Sequence, residues 1–107
     1  MFDERPRRLK KRMAVNYSTA SGALPRSGCT LDVSAEGLFL NSRSLLPRGA
    51  HVIGRLALPG GRSAEVHGIV AWNRKTPQAY DATARGGMGV RLVWADQSFF
   101  EYLAGAA

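Results

Sequence analysis

Past a charged start, apolar residues recur at every second position, the period of half-buried β-strands. Met13, Val15 and Tyr17 alternate with Ala14 and Asn16, which predicts a first short strand. Ser18 to Pro25 reads as a small polar connection. Cys29, Leu31 and Val33 then share one face of a second strand, opposite Thr30, Asp32 and Ser34. On that reading Cys29 is a packed core thiol, and Asp32 and Ser34 lie outside the core. Gly37 breaks the run, and Leu38-Phe39-Leu40 predicts a third strand. Beyond a turn at Pro47 and Gly49, Val52, Gly54, Leu56 and Leu58 alternate with His51, Ile53, Arg55 and Ala57. Pro59-Gly60-Gly61 is a hairpin signal. Ala64, Val66, Gly68, Val70 and Trp72 share a face of the strongest strand, so core packing is the expected role of Trp72. Arg74 to Arg85 is a polar loop, and Met88, Val90, Leu92 and Trp94 make a last strand. Asp96 to Leu103 reads as a short helix, capped by Asp96 or Ser98, with Phe99, Phe100 and Leu103 as its apolar stripe.

Short strands, frequent turns and no interleaved helices predict a small antiparallel barrel or sandwich. The 107 residues fit one domain, and a 45% hydrophobic content suffices for a modest core. A single cysteine excludes an internal disulfide and Cys-rich structural zinc. The longest uncharged stretch, Met13 to Pro25, is too short and too polar to cross a bilayer. Met1 to Arg12 is followed by no apolar h-region of a secretory signal. The expectation is a soluble, cytoplasmic, bacterial-type domain without membrane insertion.

Charge changes the picture at one end. Residues 1–12 hold six basic and two acidic residues, or +4, against nine basic and six acidic in the remaining 95. The expected organisation is a flexible basic arm, 1–12, followed by a barrel with a terminal helix, 13–107. A clustered cationic arm fits a polyanion or phosphate partner, and it equally fits a solvated tail.

No catalytic constellation is visible, so the chain reads as a non-enzyme. His51 and His67 are the only histidines, each in a strand pattern without a partner at metal-ligand spacing. Gly-Gly-Met-Gly at 86–89 lacks the Lys-Ser/Thr ending and following helix of a phosphate loop. No catalytic residue, metal or cofactor is expected.

Two clusters remain. Arg8 and Arg12 form an RxxxR pattern; Asp32, Ser34 and Gly37 form DxSxxG. Arginine forks suit phosphates and the O6/N7 edge of guanine. A carboxylate suits the paired N–H donors of guanine, and a serine hydroxyl with nearby backbone N–H groups suits phosphate. Gly37 would let backbone approach a ligand and take a positive φ. Each motif alone is weak, and DxSxxG equally describes a side-chain-capped turn at a strand end.

Taken together, in order and spacing, these motifs resemble those of PilZ domains, the bacterial receptor modules for cyclic di-GMP. RxxxR stands before the first strand and DxSxxG after the second. Ile69-Val70-Ala71-Trp72 and Gly89-Val90-Arg91-Leu92 are similar to later family strands, with Leu92 where an aromatic is frequent. The resemblance covers nearly the whole chain. It implies an all-β fold, a six-stranded antiparallel barrel with a short C-terminal helix and an N-terminal arm that wraps the barrel when ligand binds. It implies that Arg8 and Arg12 clamp guanine and phosphate, and that Asp32, Ser34 and Gly37 hold the guanine edge and a phosphate. Trp72 is a candidate stacking surface. Arg7, just before RxxxR, occupies the family position that tunes stoichiometry, so two ligand molecules per chain are expected. The output would pass in trans to an effector protein; motility, exopolysaccharide synthesis and pili are family-level outputs. The alternatives are a PilZ-like adaptor without ligand and a small nucleic-acid-binding barrel, the latter disfavoured.

Overall fold

The structure, a computed structural model, describes residues 8–19, 24–74 and 86–105. Six strands form a closed antiparallel barrel: β1 (Ala14–Thr19), β2 (Arg26–Val33), β3 (Gly37–Ser42), β4 (His51–Ala57), β5 (Ser63–Arg74) and β6 (Gly86–Ala95). Their order round the barrel is β1-β2-β3-β6-β5-β4, with β4 returning to β1. Closure removes the free edges an open sheet would expose. The helix α1 (Gln97–Gly105) follows β6. Among the described residues no helix is long and apolar enough to cross a membrane.

Alternation decides what fills the barrel. Val15 and Tyr17 of β1, Leu38 and Leu40 of β3, Val52 and Leu56 of β4, and Ala64, Val66 and Val70 of β5 all point inward and are buried. The β4–β5 hairpin turns at Pro59–Gly61, where Gly60 and Gly61 take φ of 79° and 77°, values that a side chain disfavours. From α1 only Phe99 is fully buried; Tyr102 and Leu103 pack partly against the core at helical spacing. Phe100, expected in that stripe, is exposed, because 99, 102 and 103 already complete the buried face. The Asp96 side chain accepts the Glu65 N–H at 2.7 Å, tying the start of α1 to β5.

Tyr17 is the core's largest polar-tipped side chain. Its hydroxyl lies 2.6 Å from Ser42 Oγ and bonds the Ser44 carbonyl. Burial pushes its pKa up, outweighing the opposing effects of the Ser42 hydrogen bond and Arg26, so the phenol stays a donor.

Three single-residue register shifts depart from simple alternation. Leu31 is the extra residue in β2, between the pairs Thr30↔Leu40 and Asp32↔Phe39. Ala71 is extra in β5, between Val70↔Val90 and Trp72↔Gly89, and Val93 is extra in β6, between His67↔Trp94 and Gly68↔Leu92. Each bulge swaps faces. Upstream of Leu31 it is Thr30 that is buried, while Cys29 is only half-buried, which corrects the core assignment of that thiol. Beyond Ala71, Trp72 turns outward and is 41% exposed, so it is not a core residue. Beyond Val93, Trp94 is likewise exposed and Ala95 takes the inward place.

A β-carbon at Gly68 would lie 2.5 Å from Val90 Cγ1 and 2.7 Å from the Arg91 carbonyl. Gly68→Ala is therefore expected to cost roughly 1–3 kcal/mol. Urea unfolding checks it: the midpoint should fall with an unchanged slope.

Candidate functional site

The site is built where the arm meets β2. Leu9 forms an antiparallel bridge with Val33, with N–H to carbonyl distances of 2.8 and 2.9 Å. Four residues later Met13 donates its N–H to Thr30 Oγ1 at 2.9 Å, and that hydroxyl donates to the Lys11 carbonyl at 2.6 Å. Buried Thr30 thus anchors the end of the arm, a role the sequence pattern had assigned to no residue. These ties hold residues 9–13 along β2 and put Arg8 beside Asp32. Arg8 Nε donates to Asp32 Oδ1 at 2.9 Å, and Nη2 reaches the same oxygen. The two motifs therefore meet in one ion pair. The Arg8 and Asp32 side chains are 53% and 25% exposed, so the pair contributes at most about 1 kcal/mol. It orients the two groups without locking them.

Ser34 has a different place. It is 2% exposed, and its Oγ accepts the N–H groups of Glu36 and Gly37, both at 3.2 Å. Its own N–H donates to the Gly37 carbonyl at 2.9 Å. The serine thus closes the β2–β3 turn from inside, the turn-forming role that DxSxxG also permits. Gly37 opens β3, with no positive φ. A β-carbon there would lie 2.6 Å from the Val90 carbonyl, so glycine is needed for the approach of β6 rather than for a left-handed turn.

Beside the pair opens a shallow cavity of about 200 Å³. Arg8, Glu36 and Arg91 stand at its charged rim, and Gly37, Leu38, Ala71, Trp72, Gly89 and Val90 make the rest of its wall. The indole of Trp72 lies on the β6 backbone, where a β-carbon at Gly89 would fall 2.1 Å from Nε1. Phe39 packs against it, with ring centroids 5.1 Å apart and planes tilted by 36°. The glycines of Gly-Gly-Met-Gly are thus a bare strip of strand that lets two aromatic rings settle on the barrel. The cavity has the size of a nucleobase rather than of a whole drug-sized ligand. It offers an aromatic wall, two guanidinium groups and an adjacent carboxylate.

The structure thus gathers Arg8, Asp32, Gly37 and Trp72 at one place. Arg12 is exposed between the Leu9 and Met13 ties and does not line the cavity; Arg7 lies outside the described residues. Glu36 and Arg91 were missed from sequence. Arg91 follows Val90 on the outward face of β6, so alternation alone could have flagged it. Among the described residues no three metal-ligating side chains cluster, and His67 is paired with Glu65 at 2.8 Å.

No family model matches the chain, and no curated protein sequence does. Solved structures do. The inhibitor of motility MotI/DgrA of Bacillus subtilis aligns with a TM-score of 0.73 at 12% identity, over 94% of this chain and 47% of that one. The chain therefore spans about half the length of that protein. The PilZ domain of CeSA from a cellulose-synthesizing bacterium aligns at 0.59 with 18% identity, over 82% of each chain. The PilZ domain of YcgR from Escherichia coli, solved with c-di-GMP, aligns at 0.62 with 11% identity, over 84% of this chain and 77% of that one. The barrel is of the PilZ type.

The turn can be tested by itself. Ser34→Ala leaves two N–H groups without their acceptor and is expected to lower stability by roughly 1–3 kcal/mol. Denaturant unfolding reads the loss, and an unchanged midpoint would deny the serine its turn-holding role.

Proposed function

We propose that this chain is a cytoplasmic receptor for cyclic di-GMP that does no chemistry on its ligand. The observation that carries the reading is the Arg8–Asp32 pair, which joins the RxxxR and DxSxxG motifs beside an aromatic-walled cavity. The c-di-GMP held by the structurally similar YcgR domain supports it. One guanine enters the cavity against Trp72, with Asp32 accepting from its N–H edge. Arg8 turns from Asp32 to a phosphate or to the O6/N7 edge. That exchange is favourable: an exposed ion pair contributes up to about 1 kcal/mol, a charge-assisted bond to an anion about 1.5–3 kcal/mol. Arg12 supplies the second fork. Ser34 and Gly37 act by holding the turn and the close strand contact that frame the cavity.

A cavity the size of one base leaves most of the dinucleotide outside it, against the cationic arm. Arg7 stacks on or pairs with this outer part, and a second, intercalated molecule completes the site. Binding orders the arm outward from its Leu9–Val33 tie, and the altered surface is read in trans by an effector protein.

Calorimetry with cyclic di-GMP should give micromolar or tighter binding, with cyclic di-AMP and an oligonucleotide as weak controls. Arg8→Ala, Arg12→Ala and Asp32→Ala should each weaken it by about tenfold or more without unfolding the barrel. Affinity within about twofold of wild type in all three would sink the assignment.

Stoichiometry is a separate outcome. A ratio near two that falls to one in Arg7→Leu supports the stacked pair; a ratio of one in the unaltered chain rejects it.

A further inference from the structure

A second surface lies on the outer face of β4, β5 and β6 and meets the cavity at Arg91. Outward positions of a small barrel are normally polar, yet here Ile53, Ile69 and Trp94 lie among the polar side chains of three neighbouring strands. Ile53 pairs with His67, and His67 with Trp94. Ile69, two residues along β5, continues the face. Trp94 is 49% exposed and Val93 55%. The β6 bulge causes this, since the extra residue leaves two successive side chains in solvent. The Trp94 ring is held upright by an edge contact with His67, centroids 5.1 Å apart, and His67 is held in turn by Glu65 at 2.8 Å. A large apolar side chain held in solvent by its neighbours is the form of an interface anchor.

The rim says what covers it. Arg55, opposite Glu65, stands at one corner, and Arg91, opposite Ile69, at the diagonal one. Glu65 is the acid on this face, and it lies 3.6 Å from Arg55 in an exposed pair of little strength. With two arginines against one carboxylate on this face, a second copy of it would bring like charge to like charge. We propose that this face docks an acidic amphipathic helix of a partner protein, its apolar side on Trp94 and its carboxylates on Arg55 and Arg91. Four residues along β5 and two strands across put those arginines about 16 Å apart, which matches carboxylates about three helical turns apart. The surface shares Arg91 with the cavity, but its apolar anchor does not depend on a nucleotide binding there.

The test uses the full chain and a synthetic helical peptide of about 18 residues, with leucines on one face and glutamates three turns apart. Amide chemical-shift changes should centre on Ile53, His67, Ile69 and Trp94, and the same peptide with lysine for glutamate should not bind. Trp94→Glu should weaken binding by about tenfold or more, Arg55→Glu by several-fold at low salt, and Val93→Asp should act like Trp94→Glu. Variant spectra that keep the barrel's dispersion show that folding is intact, and cyclic di-GMP affinity should be unaltered in Trp94→Glu. Shifts centred elsewhere, or unchanged affinity in both β6 variants, would overturn the proposal. So would a concentration-dependent dimer abolished by Trp94→Glu, which would assign the face to a second copy.

Discussion

Six short strands can close into a barrel only if some of them bend, and this chain bends them with three bulges. Leu31, Ala71 and Val93 each add one residue to a strand without adding one to its partner. A bulge increases local twist and re-aims every side chain beyond it. Much of the outer surface follows from those three positions. The Leu31 bulge turns Thr30 inward, where it anchors the arm, and sets Asp32 opposite Phe39 on the outside. Ala71 lifts Trp72 out of the core onto Gly89, and Val93 does the same for Trp94. The geometry that closes the barrel is therefore also the geometry that furnishes its two outward features.

Rigid and yielding contacts are divided along this frame. The Ser34 turn, the Gly37 approach to β6 and the Leu9–Val33 bridge are buried or backbone-bonded, and disturbing them costs stability. The Arg8–Asp32 pair is exposed and weak, so it yields to any better anion or donor at little cost. A site of this kind has a preformed wall and a replaceable side-chain contact, so a ligand would alter the contact rather than the wall.

The two outward surfaces share β5 and β6. Arg91 lines the cavity and also pairs across the ladder with Ile69 of the second face. A fixed strand pair between two surfaces keeps their relative geometry constant, so a partner on one face and an anion in the cavity would each sense the Arg91 guanidinium.

The number of strands, their order along the chain and most inward residues were legible from alternation, because burial of one sheet face leaves a period of two in any strand that stays regular. Val15, Tyr17, Val52, Leu56, Val66 and Val70 were all placed inward correctly. The RxxxR and DxSxxG motifs were legible too, since residue type and spacing are local properties. What the tertiary structure decided begins at the bulges. An extra residue leaves no mark in the alternation before it, so Cys29, Trp72 and Trp94 were each carried inward by one step too many. The meeting of Arg8 with Asp32, 24 residues apart, depends on the Leu9–Val33 bridge, and no local pattern encodes a pairing between distant segments. Nor could spacing reveal that Gly37 and Gly89 are glycines for lack of room, because the atoms that exclude a β-carbon there come from a strand and a ring far along the chain.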